Sequence, residues 1–288
     1  MTAYSILIHG GAGAKAGFDY GETEQHLAVL AAQAERQVQA DRSALDVVES
    51  AVNAMEASGL YVAGRGSAAN DAGYVELDVA IMSGADSRAG SVACLTDAVY
   101  PVSVARGVME KTRHVMLAGK GAANFAREFG YESVESPDDY YRLPVGVSAE
   151  DTQNPDHGTV GAVALDTHGR LAAATSTGGT FAKREGRVGD SPLIGVGTWA
   201  DERVAISCTG TGEQIIRAGG AMAIAAAIRH GARLRDAVDI MLARVAELGG
   251  DGGVIAVTAS GEQYAAFNSN GMKRASVAVD SPVNSATF

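Results

Sequence analysis

The sequence predicts an α/β protein of the α+β kind, with two mostly antiparallel sheets packed face to face between layers of helices. Three observations predict it. The elements run in blocks (strand, helices, strands, helices, strands, helices, strands) instead of strict strand–helix alternation, so helices and strands segregate. Short polar turns at 166–169 and 201–202 join neighbouring apolar runs, which makes hairpins and hence antiparallel pairing. The 288 residues are 47% hydrophobic and 20% charged, enough to bury a sizeable core and too apolar for extended disorder.

Taken in order, residues 4–9 read as a short buried strand stopped by Gly10-Gly11-Ala12-Gly13. Residues 21–40 have helical spacing, with Leu27, Leu30, Ala31, Ala34 and Val38 on one face. Ser43 is an N-cap for a second helix running to about residue 57. A glycine-rich loop over 59–66 follows, then strands over 74–82 and 91–95. Pro101 opens a helix at the favoured first-turn position, and another spans about 122–129. Residues 132–158 are polar and irregular and read as a linker. Beyond it lie a hairpin of strands 158–165 and 170–176, and a second hairpin over 194–200 and 204–208. Helices over 213–230 and 234–248 come next, and strands over 253–258, 263–268 and 275–279 end the chain.

Composition removes several functions. Glycine is the outlier, 36 residues or about 12% against roughly 7% on average, in clusters that mark tight turns and close backbone approach. The formal charge of −11 repels phosphate backbones, so no nucleic-acid partner is expected. Cys94 and Cys208 cannot form a disulfide framework or a metal knuckle, which points to a reducing, cytoplasmic setting. Residues 1–5 lack a basic leader region, and no run reaches the roughly 18 apolar residues of a membrane span. The pattern G-x-x-x-x-G-K-[ST] is absent, which disfavours a nucleotide site.

The chemistry gathers after the linker. Thr159 follows Gly158 at the start of a buried strand. Cut before it, the threonine carries both a hydroxyl and an α-amine of pKa about 7.7–8.0, a general base for its own hydroxyl. The hairpin register brings Thr159 beside Ser176 and Thr177, a second hydroxyl that can orient it. Arg187 and Asp190, three apart in a glycine-rich loop, can grip the carboxylate and ammonium of a free amino acid. The turn Ser207-Cys208-Thr209-Gly210-Thr211-Gly212-Glu213 leads from a strand into a helix and can present an oxyanion hole.

At these residues the sequence resembles the plant-type (class 3) asparaginase / isoaspartyl peptidase family of N-terminal-nucleophile hydrolases. The likeness covers nearly the whole chain. It rests on Ile8-His9-Gly10-Gly11-Ala12-Gly13, the block from Gly158 through Pro192, Ser207 to Glu213, and Asn268-Ser269-Asn270-Gly271-Met272. The resemblance implies a single four-layer αββα domain, cut between Gly158 and Thr159 into an α subunit (1–158) and a β subunit (159–288). Two αβ units would then pair into a heterotetramer. It implies Thr159 as nucleophile and Thr177 as its assistant, with Thr209 and Gly210 as oxyanion hole. Arg187 would hold the substrate α-carboxylate, and Asp190 with the Gly212 carbonyl its α-amine. The substrates would be β-aspartyl dipeptides and asparagine, with no cofactor for catalysis.

The resemblance also implies a structural sodium ion held by backbone carbonyls of Met55, Glu56, Ser58, Tyr61, Ala63 and Arg65, as suits a hard cation. One residue departs from the family pattern. Where the family reads Phe-Asn-Ala-Gly, this chain reads Tyr61-Val62-Ala63-Gly64, and Val62 has no side-chain hydrogen-bonding group. That departure leaves a second reading, a catalytically weakened protein of the same fold that binds an aspartyl ligand.

Overall fold

A computed structural model describes residues 3–148 and 158–288. The first half supplies β1 (Ser5–Ala12), α1 (Gly21–Gln39), α2 (Ala44–Ser58), β2 (Leu77–Ser83), β3 (Ala89–Leu95), α3 (Pro101–Lys111), β4 (Met116–Ala118), α4 (Gly119–Glu128) and the short α5 (Pro137–Tyr140). The second half supplies β5 (Val160–Leu165), β6 (Leu171–Thr177), β7 (Thr198–Ala200), β8 (Val204–Gly210), α6 (Gly212–Ala218), α7 (Gly220–Arg229), α8 (Leu234–Glu247), β9 (Gly252–Thr258), β10 (Gln263–Phe267), β11 (Met272–Ala278) and β12 (Ser281–Ala286). One sheet has eight strands in the order β12-β11-β1-β5-β6-β2-β3-β4, the other four in the order β10-β9-β8-β7.

Alternation along the strands sorts the core into three layers. On the large sheet, Ile6, Ile8, Ala162 and Ala174 face α1–α4, whose Leu27, Val48, Val52 and Val104 meet them. The opposite face presents Leu7, Val163, Leu171 and Ala173, which pack on Ala205, Ile255 and Val257 of the small sheet. The far face of the small sheet, Ile206, Cys208, Val254 and Ala256, is covered by α6–α8 through Ile215, Ile224, Val238 and Met241. The order is therefore helix, sheet, sheet, helix, the four-layer architecture expected. The central strands β1, β2, β5, β6 and β8 are buried on both faces, which is why they read as nearly continuous apolar runs. No helix among the described residues is long and apolar enough to cross a membrane.

Local signals place most of the elements. Ser43 caps α2, its Oγ accepting from Asp46 N at 3.2 Å, and Pro101 sits in the first turn of α3. The 166–169 turn is held by Asp166, a buried carboxylate that accepts from His168 N and Arg170 N. It also accepts from Ala44 N at 2.9 Å, which ties the β5–β6 hairpin to the start of α2. The differences have local causes. Strand β1 runs on through Gly10 and Gly11 to Ala12 by way of a bulge after His9. The single helix expected over 213–230 is two, broken where Gly219 and Gly220 take φ of +81° and +45°. A side chain on Gly220 would lie 2.2 Å from the Val196 carbonyl. Strand 194–200 shrinks to β7 because residues 190–197 are folded by their own turns, including Gly197 N to Asp190 O at 3.0 Å. The 132–158 linker contains α5 and a bridge from Ser133 to Ala98, and its residues 149–157 lie outside the described residues.

Candidate active site

Thr159 is buried where β5 begins, and Val160 pairs with Ser176, which sets Thr159 across from Thr177. The Thr177 hydroxyl donates to the Gly158 carbonyl at 2.6 Å and accepts from Gly179 N at 2.9 Å. The hydroxyl thus points at the carbonyl of the bond joining residues 158 and 159. The backbone of Gly11 lies against Thr159: a Cβ there would be 3.1 Å from the Thr159 carbonyl oxygen.

Across the sheet interface, Thr209 is fully buried near the end of β8, and its Oγ1 accepts from Ala12 N at 3.2 Å. That hydroxyl keeps its own proton to donate elsewhere. Gly210 follows with φ of +133° and ends the strand. The nucleophile candidate and the oxyanion candidates thus come from different sheets and meet at the end of β1.

The structure also brings Arg187, Asp190 and Gly212 together. A Cβ on Gly212 would lie 3.0 Å from both Arg187 Nη2 and Asp190 Oδ1. Asp190 is 3% exposed, and its Oδ2 has no hydrogen-bond partner among the described residues. Burial pushes its carboxyl up to about 7, against the opposing pull of Arg187, while Asp78 adds to the rise. Arg187 does not pair with Asp190. Its fork meets Glu213, with Nε to Oε1 and Nη2 to Oε2 both at 2.9 Å.

The groups that hold this loop are not marked by any motif in the sequence. Asp78 accepts from Gly189 N at 3.2 Å, and Glu76 accepts from Gly186 N at 3.1 Å through both oxygens. Lys183 is buried beneath the loop and donates to the Glu76 and Gly178 carbonyls at 2.7 and 2.8 Å. Burial lowers its ammonium, while Asp78 and Glu76 oppose the drop. The available signal was Glu76 and Asp78, two acidic residues at the head of an otherwise apolar strand.

The expected sodium loop forms the end of α2 and the turn after it. The Glu56 and Tyr61 carbonyls each lie against a glycine of the loop: a Cβ on Gly64 would lie 2.5 Å from the Glu56 carbonyl, and one on Gly66 2.1 Å from the Tyr61 carbonyl. The Ser58 carbonyl accepts from the Arg142 guanidinium. Backbone carbonyl oxygens are the donor type that a hard monovalent cation takes, and the Ser58 carbonyl faces a cationic side chain. The Glu56 side chain points away from the loop: its carboxyl accepts from Ser176 Oγ at 2.6 Å and Val102 N at 3.2 Å, and burial raises it to about 8. No cluster of three or more His, Cys, Asp or Glu suited to a metal occurs among the described residues.

Val62 stands beside the bond at issue. A Cβ on Gly158 would lie 2.7 Å from Val62 Cγ2, and Val62 packs with Ala68, Phe181 and Val147.

Known proteins give this geometry its context. The asparaginase family (Asparaginase_2) matches residues 2–142 and 138–285. The isoaspartyl peptidase of Salmonella typhimurium is 42% identical, over 96% of this chain and 95% of its own. That of Escherichia coli is 42% identical over 94% and 91%. A probable isoaspartyl peptidase/L-asparaginase of Arabidopsis thaliana is 39% identical over 95% of each. Full-length similarity at this level places the chain in the asparaginase family.

Proposed function

We propose that the protein is a threonine hydrolase that cuts its own Gly158–Thr159 bond and then hydrolyses β-aspartyl dipeptides, and asparagine as a smaller substrate. The observation that carries this reading is the 2.6 Å hydrogen bond from Thr177 to the Gly158 carbonyl, with Thr159 next in the chain. In the precursor, Thr159 Oγ adds to the Gly158 carbonyl carbon while the Thr177 hydroxyl stabilises the oxygen that becomes negative. The C–N bond breaks, the nitrogen takes the proton from Oγ, and an ester links residue 158 to the threonine. Water cleaves that ester and leaves Thr159 with a free α-amine.

The mature cycle uses the same hydroxyl on a new carbonyl. The α-amine accepts the Oγ proton as Oγ attacks the side-chain amide carbon of the aspartyl group. The Thr209 hydroxyl and the Gly210 N–H stabilise the oxyanion. The leaving amine takes the proton, and water then releases aspartate from the acyl-enzyme. Arg187 holds the substrate α-carboxylate, sharing its fork with Glu213. Asp190, whose Oδ2 has no partner among the described residues, and the Gly212 carbonyl hold the α-ammonium. The carbonyls of Met55, Glu56, Ser58, Tyr61, Ala63 and Arg65 would hold a sodium ion that braces the loop carrying Val62, displacing the Arg142 guanidinium. Two αβ units pair in the cytoplasm.

One preparation tests the reading. Intact mass of fresh and incubated protein should resolve into fragments meeting at 158/159, and Thr159→Ala should remain whole. The cut protein should release aspartate from β-aspartyl dipeptides. Sizing of the same sample reads the pairing, and melts in sodium against choline chloride read the ion. A chain that stays whole and binds aspartate without turnover would instead support a binding protein of this fold.

A further inference from the structure

Directly beneath the site, between the two sheets, lies a buried polar chain that the proposed chemistry does not use. His9 Nε2 meets Ser207 Oγ at 2.8 Å, and Ser207 Oγ meets Thr175 Oγ1 at 2.8 Å. Thr175 Oγ1 donates to the Gly197 carbonyl at 3.2 Å. His9, Thr175 and Ser207 are all fully buried. Their strands are β1, β6 and β8, so the chain crosses from the eight-stranded sheet to the four-stranded one.

Its place follows from the two-residue period of a strand. Residues two apart share a face. Thr175 lies two before Thr177, Ser207 two before Thr209, and Gly161 two after Thr159. Gly161 pairs with both His9 and Thr175, and a Cβ on it would lie 2.0 Å from Ser207 Oγ and 2.4 Å from His9 Nε2. The glycine lets the polar groups meet. The far end reaches the receptor, because Gly197 N donates to the Asp190 carbonyl at 3.0 Å. One step further down the same faces, the apolar layer of Leu7, Val163, Ala173 and Ala205 begins.

We infer that the chain His9–Ser207–Thr175–Gly197 positions the nucleophile of one sheet against the oxyanion donors of the other. A hydrophobic interface is non-directional and lets two sheets slide by fractions of an ångström. A chain of hydrogen bonds fixes both distance and angle. Its proton order is determined. Thr175 commits its proton to Gly197, so Ser207 donates to Thr175 and His9 Nε2–H donates to Ser207. Burial lowers the imidazole to about 3 against the opposing backbone of Thr159, so His9 is a neutral positioning residue and not a general base.

The inference rests on the proposed reading of Thr159, Thr177 and Thr209, and the test separates the two. Wild type and Thr159→Ala first establish turnover of a β-aspartyl dipeptide and its loss. Ser207→Ala and Thr175→Val, each measured after maturation, should then lower kcat about ten- to hundredfold, the scale of an ångström-sized misplacement. KM should stay within about twofold, because Arg187 and Asp190 share one loop and move together. His9→Leu should behave likewise, while His9→Gln, which keeps an N–H donor towards Ser207, should recover most of kcat. The His9→Leu and Ser207→Ala effects should not add, since they break one chain. Variants that change only Tm, or that raise KM with kcat intact, would overturn the inference and leave the reading standing. The same holds if His9→Gln is no better than His9→Leu. A wild type without turnover would overturn both.

Discussion

At the residue scale, the clearest departure from the family pattern touches the bond of the proposed cut. Val62 Cγ2 would lie 2.7 Å from a Cβ on Gly158, and Val62 Cβ 2.8 Å, both inside van der Waals contact. Gly158→Ala should therefore push the scissile carbonyl off the Thr177 hydroxyl and slow self-cleavage about tenfold or more. Adding Val62→Ala should restore much of the rate. Time courses of intact mass decide it; a Gly158→Ala protein that matures at the wild-type rate would mean the wall yields. Asp190 sets a different dependence. Its carboxyl is raised to about 7, so in the free protein it is ionised above that pH and neutral below it. Only the ionised form offers a charge to the substrate ammonium. KM should thus climb as pH falls through about 7, while an acid limb in kcat belongs to the Thr159 amine near 8. Asp190→Asn should raise KM and abolish its pH dependence. A KM flat from pH 5 to 9 in wild type would remove Asp190 from the receptor.

At the element scale, legibility follows from whether the deciding interaction is local. Helix α2 was readable because Ser43 and the apolar spacing lie within it, and the β5–β6 hairpin because Asp166 and Gly169 shape their own turn. From that hairpin alone came the pairing of Thr159 with Thr177. Elements decided by distant partners were not readable. Strand β4 exists because Met116–Ala118 runs parallel to β3, and β12 because Ser281–Ala286 pairs with β11. The break between α6 and α7 depends on the Val196 carbonyl that crowds Gly220. The site divides the same way. Arg187 and Asp190 sit in a glycine-rich loop and Thr209 at the glycine-rich end of β8, which advertises them. Glu213 on Arg187, and Glu76, Asp78 and Lys183 under the loop, act through contacts made only after folding. Ser207 and Thr175 read as ordinary strand residues, and only the two-sheet packing turns them towards His9.

At the scale of the whole molecule, the proposed cut would fall in the middle of a sheet without separating its parts. In the order β12-β11-β1-β5-β6-β2-β3-β4, strands β1–β4 come from residues before 158 and the others from residues after it. Three pairings therefore join the two segments: β11 with β1, β1 with β5, and β6 with β2. Helices α1 and α2 of the first segment also pack on β11, β5 and β6 of the second. Each strand pairing carries a ladder of backbone hydrogen bonds, and β1, β2, β5 and β6 are buried on both faces, so separation would expose apolar core and unpaired backbone together. The four-stranded sheet and α6–α8 belong wholly to the second segment, but its inner face is covered by the large sheet, which needs both. The cut protein should hence behave as one cooperative unit. Both fragments should co-elute through dilution to nanomolar concentration and melt in a single transition. Thr159→Ala, which stays whole, should have the same far-ultraviolet circular dichroism. Fragments 1–158 and 159–288 expressed apart should not acquire that spectrum alone. Two resolved melting transitions, or a fragment that folds by itself, would mean that the interleaved strands are not what holds the halves together.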